Sequence, residues 1–353
     1  LDQWKTLSRN DADFLPYLTG SFSDLERALP VRSLNVDSAL EVITFRIVPL
    51  SEISRPGLLM LFWLLMRPLT LVLSIGPLLT VFLECWTRKQ PIDLGLAASS
   101  FLGIICFQVA LNLFNDYFDH IRGKDRLSLR GGSRAIQNGW VRALSVKRAA
   151  WGLLGLAILM GVPIVAFRFS FFVAIAVVAL LTGLELGLQR FGLKYKGFGE
   201  LMAFALTGPL LTTGYAWALT GTVTMPQMIL GFIFGSVSLL YFHSANFENI
   251  MPDNQAGIMT WATRTGFDAS KQFFYFTSLL VVGSTLLLAW SFQYEWRLIL
   301  VAALQAAFLF RACQRVRFLA SPLSSQLVGL RRIAIQLNWL SLALLGGVFL
   351  WMR

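Results

Sequence analysis

Charge is scarce in this 353-residue chain. Only 14% of residues are Asp, Glu, Lys or Arg, against roughly 25% in a typical soluble domain. Hydrophobic residues make up 56%, and mean hydropathy is +0.64. Intrinsic disorder needs the opposite composition and is excluded. A single soluble core is excluded as well, because interiors stop growing beyond roughly 250–300 residues. Cysteine is scarce too. Cys85, Cys106 and Cys313 lie in apolar stretches without metal-ligand spacing, so neither a disulfide framework nor a zinc site is expected. Residues 1–55 lack the basic-then-apolar order of a secretory leader. Acids are outnumbered, 19 against 30 basic residues, for a net charge of +11. In a soluble protein that surplus would suggest nucleic acid. In a chain this apolar it reflects cytoplasmic loops beside an anionic leaflet, so the expected partner is membrane lipid and no nucleic acid.

What the chain has is long apolar runs. Stretches of about 20 residues span a bilayer as helices. Nine candidates occur, at 58–85, 93–118, 143–165, 169–189, 199–220, 225–247, 271–291, 297–314 and 333–352. Runs this long far exceed a barrel strand, so the expected fold is an all-α, multi-pass membrane bundle of about nine helices. Residues 1–56 differ. They hold 8 of the 19 acids and several polar turns, and Pro56-Gly57 ends them. They read as an N-terminal cytoplasmic extension with some short helix or a flexible course, preceding a transmembrane domain at 57–353.

Charge placement orients the spans. Loops and helix ends after spans two, four, six and eight carry 18 Lys and Arg, and the opposite face carries 5. The richer face is cytoplasmic by the positive-inside rule. Of the 11 acids after residue 57, seven lie at or beside cytoplasmic span ends: Asp116, Asp119, Asp125, Glu200, Glu248, Asp253 and Asp268.

Ionisable groups at membrane depth are expensive, and their positions mark function. Asn112, Asn115, Asp116 and Asp119 fall three and four apart at the end of span two, on one helix face, with Asp125 following. Carboxylates gathered this way repel unless a cation lies between them. Hard oxygen ligands with amide neighbours suit Mg²⁺, which bridges to phosphate. Asn246, Glu248, Asn249 and Asp253 repeat the theme at the end of span six. Two acidic helix ends on one face point to metal ions clamping a diphosphate; ordinary capped and solvated helix ends are the alternative. Between them, Gly131-Gly132-Ser133-Arg134 offers backbone freedom and a planar guanidinium fork for phosphate. His120 is expected to face the membrane interface, and His243 to be buried and bonded to a neighbour. Arg67-Pro68 inside span one is expected to face the bundle interior.

At these residues the chain resembles the UbiA superfamily of intramembrane prenyltransferases. Asn115-Asp116-Tyr117-Phe118-Asp119 matches the start of that family's first aspartate-rich motif. Gly123-Lys124-Asp125, Ser133-Arg134-Ala135-Ile136-Gln137-Asn138-Gly139, Lys194-Tyr195-Lys196-Gly197-Phe198-Gly199-Glu200 and Arg67-Pro68 are most similar to the branch that prenylates 1,4-dihydroxy-2-naphthoate for menaquinone synthesis. The second motif departs from the pattern: Asn249 stands where an aspartate is expected and Glu248 where an arginine is, with Asp253 in place.

The resemblance implies a magnesium-dependent transfer from a polyprenyl diphosphate to an aromatic acceptor, in a bacterial inner membrane with the site facing the cytoplasm. It makes Asp116, Asp119, Asn115 and Lys194 catalytic. It assigns the diphosphate to Lys124, Arg134, Lys196, Arg264 and Asn246, and the substrate pocket to Arg67, Tyr117, Gln137, Tyr195 and Glu200. Metal ligands would be Asn115, Asp116, Asp119, Asp125, Asn249 and Asp253. A hydroxybenzoate, chlorin or glycerophosphate lipid acceptor is an alternative, as is a transporter or non-catalytic binding protein. No repeated halves favour a transporter.

Overall fold

A computed structural model describes residues 3–127, 132–170, 172–188, 192–193, 196–255 and 257–352. In chain order the elements begin with β1 (Gln3–Ser8), α1 (Phe14–Thr19), β2 (Glu26–Leu34) and β3 (Val42–Pro49). Helices follow: α2 (Leu58–Met66), α3 (Pro68–Thr87), α4 (Leu94–Ile121), α5 (Lys124–Leu127), α6 (Ala143–Phe167) and α7 (Phe172–Leu188). The chain continues with α8 (Gly199–Thr207), α9 (Pro209–Thr220), α10 (Met225–Glu248), α11 (Ile250–Gln255) and α12 (Trp261–Thr265). It ends with α13 (Phe267–Ser291), α14 (Trp296–Arg317) and α15 (Leu330–Trp351).

The helical expectation holds, with two refinements. Among the described residues, seven helices are long and apolar enough to cross a membrane, and α7 is shorter. Of the nine expected spans, the fourth falls short of a crossing length as α7 and the fifth is broken into α8 and α9; the first is broken too, but α3 alone is long enough to cross. The first breaks at Arg67, which takes a left-handed conformation (φ 52°) between α2 and α3. Pro68 disfavours the right-handed helical region for the residue before it, so the helix stops there. The fifth breaks at Gly208, between α8 and α9.

The chain divides into two compact units, Leu1–Pro68 with Phe107–Gly155 and Gly187–Gln189, and Leu69–Cys106 with Leu156–Leu186 and Arg190–Arg353. In the first, the extension is a folded antiparallel sheet of order β1-β3-β2 with the short helix α1; some short helix or a flexible course was expected there, and the strands were not. The register runs from Gln3 opposite Ile47 to Ser8 opposite Val42, and a bulge lies at Pro30/Arg32 in edge strand β2. Strand β3 alternates: Ile43, Phe45 and Ile47 are buried while Val42, Thr44 and Arg46 are less so. That period of two is the sequence signal for a half-buried strand. Leu7, Phe14, Leu18, Ile43 and Phe45 form its core, and Ile121 at the end of α4 packs against it.

The second unit is built around α10, the most buried of the long helices at 78%. One core gathers Leu78, Tyr215, Leu230, Phe234, Leu288 and Phe349; another gathers Leu240, Phe247, Phe274, Leu309 and Leu337. Outward apolar side chains such as Leu159, Val162, Leu279 and Phe310 remain exposed, as lipid-facing surface requires.

Candidate active site

In the first unit, the broken first span and the end of α4 meet. Asn112 Nδ2 donates to the Met66 carbonyl at 2.9 Å, satisfying a terminal acceptor of α2. One turn on, Asp116 Oδ1 accepts from the Arg67 guanidinium and from the Ser133 backbone N–H at 3.2 Å. The left-handed turn at Arg67 therefore delivers its side chain to the first motif. Arg134 is also left-handed (φ 63°), and its Nη1 donates to the Asp125 carbonyl at 2.7 Å. Non-glycine residues in this region carry strain of order 1–3 kcal/mol, a feature that clusters at functional sites.

Gly132 seals this arrangement. It has φ 64°, and a Cβ there would come within 2.5 Å of Asp125 Oδ2 and 3.0 Å of both Arg67 Nη2 and Asp116 Oδ1. The glycine loop thus lies directly on the acidic cluster. Asp116, Asp119 and Asp125 are all buried. Burial, followed by the neighbouring Asp119 charge, pushes the Asp125 carboxyl up to about 7. Asn115 is half-buried beside them, and Tyr117 is buried with Lys147 Nζ 5.1 Å from its ring centre. Lys124 opens α5 and is half-buried.

Among the described residues, no three His, Cys, Asp or Glu side chains stand close enough together to hold a metal ion. The expected ligand set is therefore not closed around one point; Arg67 occupies Asp116 Oδ1 instead. The donor chemistry still fits a hard divalent cation. Asp116 Oδ2 is buried and has no hydrogen-bond partner among the described residues, and such an orphaned oxygen is rare without a ligand to explain it.

His120 is not at the interface, as its sequence position had suggested. It is 2% exposed, with Nε2 3.0 Å from the Leu18 carbonyl and Nδ1 3.3 Å from Gln137 Nε2. Sequence reasoning missed it because its partners lie in the extension and the glycine loop, 102 and 17 residues away.

In the second unit, Asn246 Nδ2 donates to Glu200 Oε1 at 2.7 Å, joining α10 to α8. Glu200 and Asp253 are buried. Asn249 caps the end of α10, its Nδ2 donating to the Ala245 carbonyl at 3.0 Å. Glu248 is engaged by α15. Its Oε1 accepts the Arg331 backbone N–H at 2.8 Å, and its Oε2 lies 3.4 Å from Arg331 Nε, stapling α10 to α15. Lys196 and Arg264 are both exposed, and Arg264 Nη1 donates to the Lys196 carbonyl at 3.0 Å. His243 is fully buried against the Ser270 carbonyl (2.9 Å), as expected. Gly131, Lys194 and Tyr195 lie outside the described residues.

The sequence profile of the UbiA prenyltransferase family matches residues 75–328. A Bacillus subtilis (strain 168) protein named 1,4-dihydroxy-2-naphthoate octaprenyltransferase is 27% identical over 58% of this chain and 66% of its own length, just under two thirds. The Haemophilus influenzae protein of the same name is 28% identical over 66% of this chain and 77% of its own. Among solved structures, a UbiA homologue from Archaeoglobus fulgidus bound to DMAPP and Mg²⁺ superposes with a TM-score of 0.58 at 13% identity, covering 80% of this chain and 98% of that one. The apo UbiA homologue from Aeropyrum pernix K1 gives 0.60 at 14% identity, over 78% and 96%.

Proposed function

Because the chain belongs to the UbiA prenyltransferase family, an integral membrane family, we propose that it transfers a polyprenyl group from polyprenyl diphosphate to 1,4-dihydroxy-2-naphthoate. The observation that carries this reading is the buried cluster of Asp116, Asp119 and Asp125 with Arg67, covered by the glycine loop at Gly132 and Ser133. The naphthoate acceptor is supported by the names of the relatives, and a divalent cation by the Mg²⁺-bound fold neighbour.

The reaction breaks the allylic C–O bond, and the electron pair leaves with diphosphate. The allylic cation is attacked by the electron-rich ring carbon, and loss of CO₂ from the naphthoate restores aromaticity. Bound Mg²⁺ would neutralise charge on the departing diphosphate. Asp116, Asp119 and Asp125, with Asn115, are the residues that would hold it. Lys124 and Arg134 supply positive charge and hydrogen-bond donors for the diphosphate oxygens. Arg67 orients Asp116 through their ion pair. In the second unit, Asp253 is assigned to metal binding and Asn246 to diphosphate, with Glu200 orienting the Asn246 amide. Asn249 is assigned to metal through its amide oxygen, its nitrogen being engaged in the cap. Lys194, Lys196 and Arg264 are assigned to diphosphate, and Tyr117, Gln137 and Tyr195 to the acceptor pocket. The reaction face is assigned to the cytoplasm of a bacterial inner membrane.

Purified protein in lipid, given Mg²⁺, labelled polyprenyl diphosphate and a panel of aromatic acceptors, tests this reading. Prenylated naphthoate is expected, lost with EDTA and reduced at least about 100-fold in Asp116→Ala, the scale on which removal of a charge-stabilising group acts. Product persisting under both conditions contradicts the mechanism. Product with a different acceptor alone contradicts the naphthoate assignment.

A further inference from the structure

The N-terminal sheet and the first motif belong to one compact unit. The contacts between them run through the segment that carries the chemistry. Arg126, directly after Asp125, pairs with Glu41 at 2.6 Å, and each side chain is only 1% exposed. Gly123 has φ 84°, and a Cβ there would collide with Val36 of the extension. Beyond the glycine loop, Trp140 Nε1 donates to the Ser54 carbonyl at 3.0 Å and Arg142 pairs with Asp24. Residues 120–142 are thus gripped by the extension at both ends.

The grip reaches one substrate-pocket residue through a chain of two hydrogen bonds. The Leu18 carbonyl, at the end of α1, can only accept. His120 Nε2 must therefore carry the hydrogen. Gln137 presents its amide nitrogen, which can only donate, to Nδ1, so Nδ1 carries no hydrogen. In the neutral ring Nδ1 is then an acceptor. It takes the Gln137 amide nitrogen at 3.3 Å. With its nitrogen committed, Gln137 has its oxygen left to accept, and among the described residues nothing donates to it. The loop that bears Gln137 also places Ser133 N–H on Asp116.

We propose that residues 1–56 are a positioning device for the aromatic acceptor: the Leu18 carbonyl fixes the His120 tautomer, and His120 fixes the Gln137 amide so that its oxygen accepts a hydroxyl of the acceptor ring. His120 is a positioning residue, and Gln137 is the group that meets substrate. The proposal rests on the prenyltransferase reading above, because the hydroxyl belongs to that acceptor. It assigns work to a segment outside the family match, which begins at residue 75.

The chain has only two histidines, so ¹⁵N-histidine labelling of the full-length protein in lipid gives two imidazoles, assigned by comparison with His120→Phe. The His120 ring is expected as the neutral Nε2–H tautomer, with its Nδ1 resonance shifting in Gln137→Leu. In kinetics, His120→Phe and Gln137→Leu are each expected to raise KM for the aromatic acceptor about tenfold while KM for the prenyl diphosphate stays within about twofold. The double variant is expected to be no worse than Gln137→Leu alone, because both changes break one chain. An Nδ1–H tautomer, an Nδ1 resonance indifferent to Gln137, KM values that move together, or effects that multiply would each overturn the proposal. Wild type that turns over no aromatic acceptor removes the function reading instead. The spectra then decide alone whether the relay exists, and Gln137→Leu keeps that arm available if His120→Phe does not fold.

Discussion

Arg67 combines a left-handed backbone, a helix break and an ion pair with Asp116. The strain is compensated by placing a guanidinium on a buried carboxylate whose other oxygen has no partner among the described residues. Gly132→Ala tests how tightly this corner is built. Its methyl would press on Asp125, Arg67 and Asp116 at a positive φ that disfavours alanine by roughly 1–2 kcal/mol. We expect activity to fall more than about tenfold with only a modest loss of melting temperature; unchanged activity would show the glycine loop is not seated on the cluster during turnover. Asn249→Asp separates two roles at another position. A carboxylate cannot donate to the Ala245 carbonyl and would sit at the negative end of α10. Stability should fall by about 0.5–1 kcal/mol in a denaturation titration, while activity is retained or raised. A severe loss of activity would give the asparagine a role of its own. At this scale the sequence was informative wherever chemistry is local. The Asp116 and Asp119 spacing was legible on a single helix. The burial of His120 and the diversion of Glu248 to Arg331 were not, because their partners are distant in sequence and chosen by the tertiary fold.

Helix breaks are the main difference at the scale of elements. The apolar runs fall on helices, and among the described residues seven helices are long and apolar enough to cross a membrane, but hydropathy carries no information on where a helix stops and restarts. Arg67-Pro68 was one available signal. Gly208 was the other, and its reason lies in packing: a Cβ there would meet the Gly231 carbonyl and the Gly235 backbone. The spacing of Gly231 and Gly235 on α10 leaves a groove for the α8–α9 junction, the close approach that small residues four apart permit in membrane bundles. Gly231→Ala would put its methyl 2.7 Å from the Pro209 Cα, backbone that cannot swing aside. Overpacking of this kind costs about 1–3 kcal/mol, and a lowered melting temperature in detergent is expected; an unchanged one would mean that the junction is slack. The sheet was missed for a different reason. Acids and polar turns dominate residues 1–56, yet the alternation from Val42 to Ile47 encodes β3.

For the whole molecule, the proposed orientation rests on basic residues, 18 on one expected face and 5 on the other. In a chain whose Cys85, Cys106 and Cys313 are replaced by alanine, Thr222→Cys should react with an impermeant maleimide in intact cells. Ser321→Cys should react only after permeabilisation, and the reverse pattern would invert the proposed topology. Composition alone was enough to place this chain in lipid, since lipid is the only solvent suited to so much apolar surface. The buried carboxylates are expected to hold a divalent cation. Electron paramagnetic resonance of Mn²⁺, titrated into the protein with a prenyl diphosphate analogue that cannot ionise, reads it without turnover. Wild type should immobilise the ion, and Asp116→Asn and Asp119→Asn should release it; variants that bind Mn²⁺ as wild type does would contradict the account.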